Sequence, residues 1–128
     1  MIFVDTSAWY ALLSAGDVNH VRAKETLQNH RHEEWLTSSY VVVETMALAD
    51  RRLGRPAAVA FHNDVLPVAS IEWIDENLHR AGSAAYASGT GEISLVDRVS
   101  FEVMRRRLIR RAFAFDEDFD MEGFELVH

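Results

Sequence analysis

The chain has no cysteine, and this absence removes several classes of chemistry at once. Without thiols there is no disulfide framework, no thiolate zinc site and no cysteine nucleophile. Long apolar runs are also missing, because no stretch approaches the roughly 18 residues of a membrane helix, and no basic segment precedes an apolar one at the beginning of the chain. We therefore expect a soluble, cytoplasmic protein without membrane contact, whose chemistry depends on oxygen and nitrogen groups.

Basic residues are fewer than acidic ones, 13 against 20, which gives a net charge of −7. An acidic chain lacks long-range attraction for a polyanion, so this balance counts against a nucleic-acid partner. Two features reduce the objection. Twelve of the 13 basic residues are arginine, and six of these lie between Arg98 and Arg111, so positive charge is concentrated. Bound divalent cations would also neutralise clustered carboxylates.

Short apolar segments alternate with helical patterns along the 128 residues. The predicted strands are Ile2–Val4, Trp35–Ser38, Val68–Ile74, Ala112–Phe115 and Phe124–Val127. Parallel neighbours require crossover connections, and the intervening helices supply them. The pattern predicts one domain over residues 1–128 with an α/β fold, a three-layer α/β/α sandwich around a central, mostly parallel sheet of about five strands.

Helix boundaries follow from capping and stop residues. Helices are expected over Ser7–Ser14, from about Asn19, from Ser39 or Tyr40 to Leu53, from Pro56 to Leu66, from Asp75 or Asn77 to Ala87, and from Ser94. Gly54 is expected to end the third of these helices and Pro67 the fourth. The segment 88–91 is the most loop-like part of the chain.

Acidic residues follow directly on two of the apolar strands, at Asp5 and Asp116. Open α/β sheets place their sites at the carboxyl ends of parallel strands, so both side chains are expected to point into one crevice. The alternative for Asp5 is that it merely caps the following helix. Thr6 or Ser7 is equally able to provide that cap.

Two further acids lie on predicted helices. Glu44 has apolar helical neighbours at Val41, Ala47 and Leu48, so its carboxylate falls within an apolar stripe. A buried acid needs a partner, which is either a metal ion or, alternatively, a core arginine. Asp97 lies in the first turn of its helix, where the helix dipole alone would favour an acid. It is a candidate site residue only in combination with the other acids.

Four carboxylates in one crevice would repel one another strongly unless cations lay between them. Oxygen ligands select hard metals, so the set implies Mg²⁺, with Mn²⁺ as a substitute. Such ions activate water and stabilise a departing oxygen, which fits hydrolysis of a nucleic-acid backbone.

Four short motifs resemble those of the PIN domain family, in particular its short VapC-like members, and they follow in the family's order across nearly the whole chain. They are Ile2-Phe3-Val4-Asp5-Thr6-Ser7, the helix-borne Glu44, Ser94-Leu95-Val96-Asp97 with Ser100, Phe101 and Met104, and Ala112-Phe113-Ala114-Phe115-Asp116 with Phe119, Gly123 and Phe124. The resemblance implies a Mg²⁺-dependent endoribonuclease, often a homodimer, which in VapC-like cases is a toxin silenced by a cognate antitoxin.

By the same resemblance, Asp5 and Asp97 are the principal metal ligands, and Glu44 and Asp116 complete the acidic cluster. Thr6 and Ser94 would hold ligands or water in place. The fourth motif is unusually rich in acids, so Asp118 is an alternative to Asp116, although Asp116 keeps the family spacing better.

Some residues allow more than one interpretation. Arg98, Arg105 and Arg106 are candidates for contact with RNA or with an antitoxin, or they form a solvated helix end. The tryptophans, which are Trp9, Trp35 and Trp73, have apolar neighbours and are predicted to pack in the core or a dimer interface rather than to stack on bases. The competing function is a catalytically idle PIN-fold module that acts as a scaffold through RNA or protein contacts.

Overall fold

A single parallel sheet organises the computed structural model, which describes residues 1–128. Its strand order is β3-β2-β1-β4-β5, and all four neighbouring pairs are parallel. The strands are β1 (Ile2–Val4), β2 (Trp35–Ser38), β3 (Ser70–Glu72), β4 (Arg111–Phe113) and β5 (Glu125–Leu126). The predicted α/β fold with a parallel sheet of about five strands is confirmed.

Seven α-helices connect the strands and cover the sheet. They are α1 (Thr6–Leu13), α2 (His20–Asn29), α3 (Ser39–Leu53), α4 (Arg55–Ala60), α5 (Glu76–Ser88), α6 (Leu95–Arg106) and α7 (Asp118–Met121). The caps of α3 and α5 are Ser38 and Asp75, whose side chains accept backbone N–H groups of the first turn. None of these helices combines the length and apolar character that crossing a membrane requires.

The segment after α4 departs from the sequence prediction. A regular helix was predicted from Pro56 to Leu66, but the α-helical part ends at Ala60. It is followed by a π turn (Phe61–Val65) and then by a 3-10 turn (Leu66–Val68) that contains Pro67. The wider turn begins at Phe61, which is fully buried in the core. Pro67 therefore lies inside the last turn rather than ending the helix.

One strand is shorter than predicted, and one helix is additional. Strand β3 was predicted over Val68–Ile74, but it pairs only with β2, and the register ends with Ser38 opposite Glu72, where β2 itself ends. The short helix α7 was not predicted, because four residues with two acids give no apolar periodicity.

Aromatic rings fill much of the core between the sheet and the helices. Trp9 packs edge-on against Phe61 at 5.4 Å between centroids, and Phe101 packs against Phe119 at 5.0 Å. Trp35 is also buried, as predicted. Trp73 is 71% exposed, so core packing is wrong for that residue. It follows the edge strand β3, which has a neighbour on one side only.

The connectivity of the sheet creates a crevice beside its central strand. From β1 the chain builds β2 and β3 on one side, then crosses to the other side to form β4 and β5. The N–H of Asp5 donates to the carbonyl oxygen of Phe113 at 3.0 Å, which keeps the ends of β1 and β4 together. Open α/β folds bind ligands at such a reversal of strand order, at the carboxyl ends of the strands.

Candidate active site

Asp5 uses its two carboxylate oxygens differently. It is the N-cap of α1, and its Oδ2 accepts from the Ser7 N–H at 3.1 Å and from the Ser7 hydroxyl at 2.7 Å. Its Oδ1 is buried and has no hydrogen-bond partner. The capping alternative is therefore correct for one oxygen, while the other oxygen remains available at the end of β1.

Asp97 and Asp116 approach Asp5 from two other elements. Ser94 caps α6, and its hydroxyl accepts from the Asp97 N–H at 3.1 Å, which fixes Asp97 in the first turn. Asp116 follows β4 in a turn where its Oδ1 accepts from the Asp118 N–H at 2.9 Å. Carboxylate oxygens of Asp5, Asp97 and Asp116 lie within 4.8 Å of one another. Three of the four predicted acids thus meet in one cluster.

Burial and mutual repulsion raise the pKa of the clustered acids. Burial raises the pKa of Asp5 to about 6, although its hydrogen bonds from Ser7 oppose the shift. Burial, followed by the charges of Asp5 and Asp116, raises the pKa of Asp97 to about 9. These shifts are in line with a group of acids that have no ion-pair partner in the protein.

Glu44 lies at the margin of this cluster. It is half-buried on α3 and lines the same cavity, and its charge contributes to the raised pKa of Asp97. It is outside the group that lies within 4.8 Å. The alternative of an ion pair with a core arginine is not realised, since no arginine pairs with Glu44 in the structure.

The remaining predicted site residues also border the cavity. Thr6 is buried, and its hydroxyl oxygen has no hydrogen-bond partner in the protein. Ser94 lines the cavity while it caps α6. Asp118 also lines it, and partial burial together with the Asp116 charge raises its pKa. Asp116, rather than Asp118, belongs to the close group of three acids.

The cavity has a volume of about 520 Å³ and is lined by 15 residues. Several of them were not singled out from the sequence: Ser7, Tyr10, Asp17, Asn19, Leu48, Arg52, Glu92 and Phe115. For Leu48 and Arg52, the spacing along the sequence indicates their position. Glu44, Leu48 and Arg52 are spaced four residues apart on one helix, so they share a face. Asp17 and Asn19 lie in the loop between α1 and α2, where no periodicity indicates direction.

Ser7 connects the two halves of the site. Its hydroxyl donates to Asp5 Oδ2, and the same oxygen accepts from the Phe115 N–H at 2.9 Å. Phe115 immediately precedes Asp116, so one hydroxyl fixes the first acid and the backbone that carries the last. From the sequence, Ser7 is a possible helix cap and the last residue of the first motif, and neither role predicts this bridge.

The arginines proposed for partner contact differ in availability. Arg98 and Arg105 both bind Glu122, at 3.5 Å and 2.6 Å. The guanidinium of Arg105 also lies over the rings of Phe101 and Phe124. Arg106 is exposed and has no ion pair. Contact with RNA or an antitoxin remains a prediction for all three.

Comparison with known proteins agrees with this geometry. The family model of the PIN domain matches residues 2–122, which include every acid of the cluster. The chain belongs to the PIN domain family. Among curated PIN relatives, it is 42% identical over 126 residues to the 23S rRNA-specific endonuclease VapC20 of Mycobacterium tuberculosis, in strains CDC 1551 / Oshkosh and H37Rv. The match covers 97% of this chain and 95% of the relative.

Solved structures of similar proteins give the same fold. The crystal structure of Mycobacterium tuberculosis VapC20, described as a Sarcin-Ricin loop cleaving toxin, superposes with a TM-score of 0.89 at 39% identity and covers 97% of this chain and 96% of that one. FitAcB from Neisseria gonorrhoeae superposes with a TM-score of 0.74 at 17% identity and covers 100% of this chain and 97% of that one. The second likeness shows the PIN fold alone.

The divalent metal that the PIN family implies fits the residues of this site. The donor set consists of carboxylates, which hard divalent cations prefer. Asp5 Oδ1 is a buried acceptor without a donor, and an orphaned anionic oxygen of this kind is costly unless a cation completes it. Asp5, Asp97 and Asp116 would hold the ion, with Glu44 at the margin.

Proposed function

We propose that this protein is a Mg²⁺-dependent endoribonuclease that hydrolyses RNA phosphodiester bonds at the cavity between the ends of β1 and β4. Its catalytic residues are Asp5, Glu44, Asp97 and Asp116, with Asp5 and Asp97 as the principal metal ligands. The observation that carries the proposal is the convergence of three buried or half-buried carboxylates within 4.8 Å, one of them with an unpartnered oxygen.

The bound cation supplies activation of a water molecule and neutralisation of charge at the phosphodiester. The protein itself keeps the ligands in place before the ion binds. Ser7 fixes Asp5 through Oδ2 and leaves Oδ1 without a hydrogen-bond partner, and the Ser94 cap fixes the backbone of Asp97. The raised pKa of Asp97 favours its protonated form at neutral pH, so this residue would give up a proton when it holds a cation.

The relatives support a proposal for the substrate and partners. VapC20 is named as a 23S rRNA-specific endonuclease and a Sarcin-Ricin loop cleaving toxin, and this chain matches it over almost its full length. We infer that this protein is likewise a toxin that acts on that ribosomal RNA loop in the cytoplasm. A cognate antitoxin would silence it, and a homodimer is the expected assembly.

The test is cleavage of a synthetic Sarcin-Ricin loop RNA by the purified protein with Mg²⁺, with Mn²⁺ and with a chelator. Asp97→Asn is measured beside the wild type, with Asp50→Asn as the matched control, because Asp50 is an exposed helical aspartate outside the cavity. We expect metal-dependent cutting by the wild type and by Asp50→Asn, and none by Asp97→Asn.

Two results would contradict the proposal. Cutting that persists in chelator, or at full rate in Asp97→Asn, would remove the acid cluster from the mechanism. Binding of RNA or of an antitoxin without cutting under any metal condition would favour the catalytically idle scaffold instead.

A further inference from the structure

The acidic cavity contains a single cationic side chain. Among its 15 lining residues, Arg52 is the only lysine or arginine. Seven carboxylates line the same cavity: Asp5, Asp17, Glu44, Glu92, Asp97, Asp116 and Asp118. Most of the arginines of the 98–111 segment have carboxylate partners, but Arg52 has none within ion-pair distance.

An aromatic ring holds Arg52 in place of a carboxylate. Its guanidinium carbon lies 5.5 Å from the centre of the Tyr10 ring, which comes from α1 and also lines the cavity. This cation–π contact orients the guanidinium without using its N–H donors. Those donors remain available for an anion that enters the cavity.

The position of Arg52 on α3 indicates which anion this would be. Arg52 is eight residues after Glu44, which is about 12 Å along a helix axis at the usual rise. Arg52 therefore leaves α3 about two helical turns beyond Glu44, at a separate position along the cavity wall. A neighbouring phosphate of the same RNA strand is the group that its N–H fork suits.

We propose that Arg52, held on the ring of Tyr10, forms a phosphate subsite for the RNA nucleotide beside the scissile bond. This inference rests on the proposed ribonuclease function and adds the residue that guides a polyanion into an acidic cavity. It assigns substrate binding to Arg52 rather than to Arg98 and Arg105, whose guanidinium groups already bind Glu122.

The competing explanation is that Arg52 only complements the dipole at the end of α3. Arg51 supplies the control, because it lies in the same last turn, is exposed, and does not line the cavity. A role in the helix dipole would make the two arginines equivalent. A phosphate subsite would make them different.

The experiment compares Arg52→Gln with Arg51→Gln in two backgrounds. In the Asp97→Asn background, binding of a labelled Sarcin-Ricin loop RNA is measured by fluorescence anisotropy across a salt series. In the wild-type background, kcat and KM for cleavage of the same RNA are measured with Mg²⁺. Circular dichroism and thermal unfolding establish that every variant is folded.

We expect Arg52→Gln to weaken RNA binding and to raise KM by about ten-fold, with kcat changed less than about two-fold. The salt dependence of binding should fall by about one phosphate contact. Arg51→Gln should leave all three quantities near wild type. Arg52→Lys should recover only part of the loss, because an ammonium keeps the charge and loses the planar contact with Tyr10.

Equal binding by Arg52→Gln and Arg51→Gln would overturn the subsite. So would a loss confined to kcat, since that would assign Arg52 to the chemical step. Absence of cleavage by the wild type would count against the ribonuclease itself, and the anisotropy arm would still decide whether Arg52 contacts RNA.

Discussion

The carboxylates around the ends of β1 and β4 have no arginine partner, whereas several acids elsewhere on the surface do. Glu33 binds Arg111 at 2.7 Å, Glu72 binds Arg107 at 2.8 Å, and Glu122 binds Arg105 at 2.6 Å. The chain contains 12 arginines, yet the one at the cavity packs on Tyr10 instead of on an acid. Acids paired with arginine stabilise the folded protein. Unpaired acids in the cavity lower its free energy of unfolding, and a bound cation would remove that penalty.

Asp5→Asn removes the charge of an unpaired acid in the cluster and is expected to have the largest effect. Asparagine is as good an N-cap as aspartate, so α1 and the fold should remain intact. The anionic oxygen that faces the cluster is lost, and we expect cleavage to fall by at least about a hundred-fold. Single-turnover cleavage with Mg²⁺ measures this, and near-normal turnover in the folded variant would show that Asp5 is only a cap.

Ser7→Ala should have a smaller effect on the same reaction. It removes the hydroxyl that fixes Asp5 Oδ2 and accepts from the Phe115 N–H, but it leaves every acid in place. We expect about a ten-fold to hundred-fold loss of activity or metal affinity, as for other residues that orient metal ligands. Mg²⁺ titration of activity separates a loss of metal affinity from a loss of turnover. Ser14→Ala is the control, because Ser14 is a buried serine of the same region that does not line the cavity. A variant indistinguishable from wild type would refute the positioning role.

The unpaired cluster should destabilise the metal-free protein. Burial and the neighbouring acids penalise the charged form of Asp97, so the folded protein must bind a proton there that the unfolded chain has lost. Asp97→Asn removes this cost, so in chelator we expect a melting temperature about 3 to 5 °C above that of the wild type. Mg²⁺ should raise the melting temperature of the wild type and have little effect on that of the variant. Differential scanning fluorimetry tests both, and an Asp97→Asn protein that melts lower in chelator would contradict the repulsion.

The pH dependence of stability follows from the same shifts. The pKa values of Asp5 and Asp97 are raised from 3.8 to about 6 and about 9, so the folded protein holds protons that the unfolded chain has lost. The metal-free unfolding free energy should therefore fall as pH rises from about 4 to about 9. Urea unfolding in chelator at several pH values measures this, and Asp97→Asn should show a shallower decline. A rise in stability over that range would contradict the assignment.

The smallest effect is expected where acids have arginine partners. Glu122→Gln weakens two ion pairs with Arg98 and Arg105 in a partly exposed position, so we expect a loss of about 1 kcal/mol. Asp120→Asn is the matched control, because Asp120 is exposed and unpaired in the same segment. Chemical denaturation measures the difference, and a Glu122→Gln protein that gains stability would show that paired and unpaired acids behave alike.

Much of this fold was predictable because strand and helix periodicities alternate clearly. The parallel sheet, the cap at Asp75, and the meeting of Asp5 with Asp116 follow from local pattern and from the behaviour of parallel sheets. The role of Ser38 was predicted only in part, because it ends β2 as expected and also caps α3. The π turn after α4 was not predictable, since one residue added to a helical turn leaves no mark in the apolar periodicity of so short a segment.

The candidate site was predictable in its acids and less so in its supporting groups. Clustered carboxylates at strand ends have a known chemical meaning, whereas a serine has many uses. The bridge through Ser7 depends on a contact between positions 108 residues apart. The contact of Arg52 with Tyr10 likewise depends on how α1 and α3 pack, which spacing within one helix cannot show.

The most direct test of the unpaired cluster is diffraction from crystals grown with Mn²⁺, using the anomalous signal to locate the ion. We expect an anomalous peak within metal-ligand distance, about 2.0 to 2.4 Å, of Asp5 Oδ1 and an Asp97 oxygen. We expect no peak there in Asp97→Asn crystals. An ion bound elsewhere at saturating Mn²⁺, with the Asp5, Asp97 and Asp116 cluster empty, would contradict it.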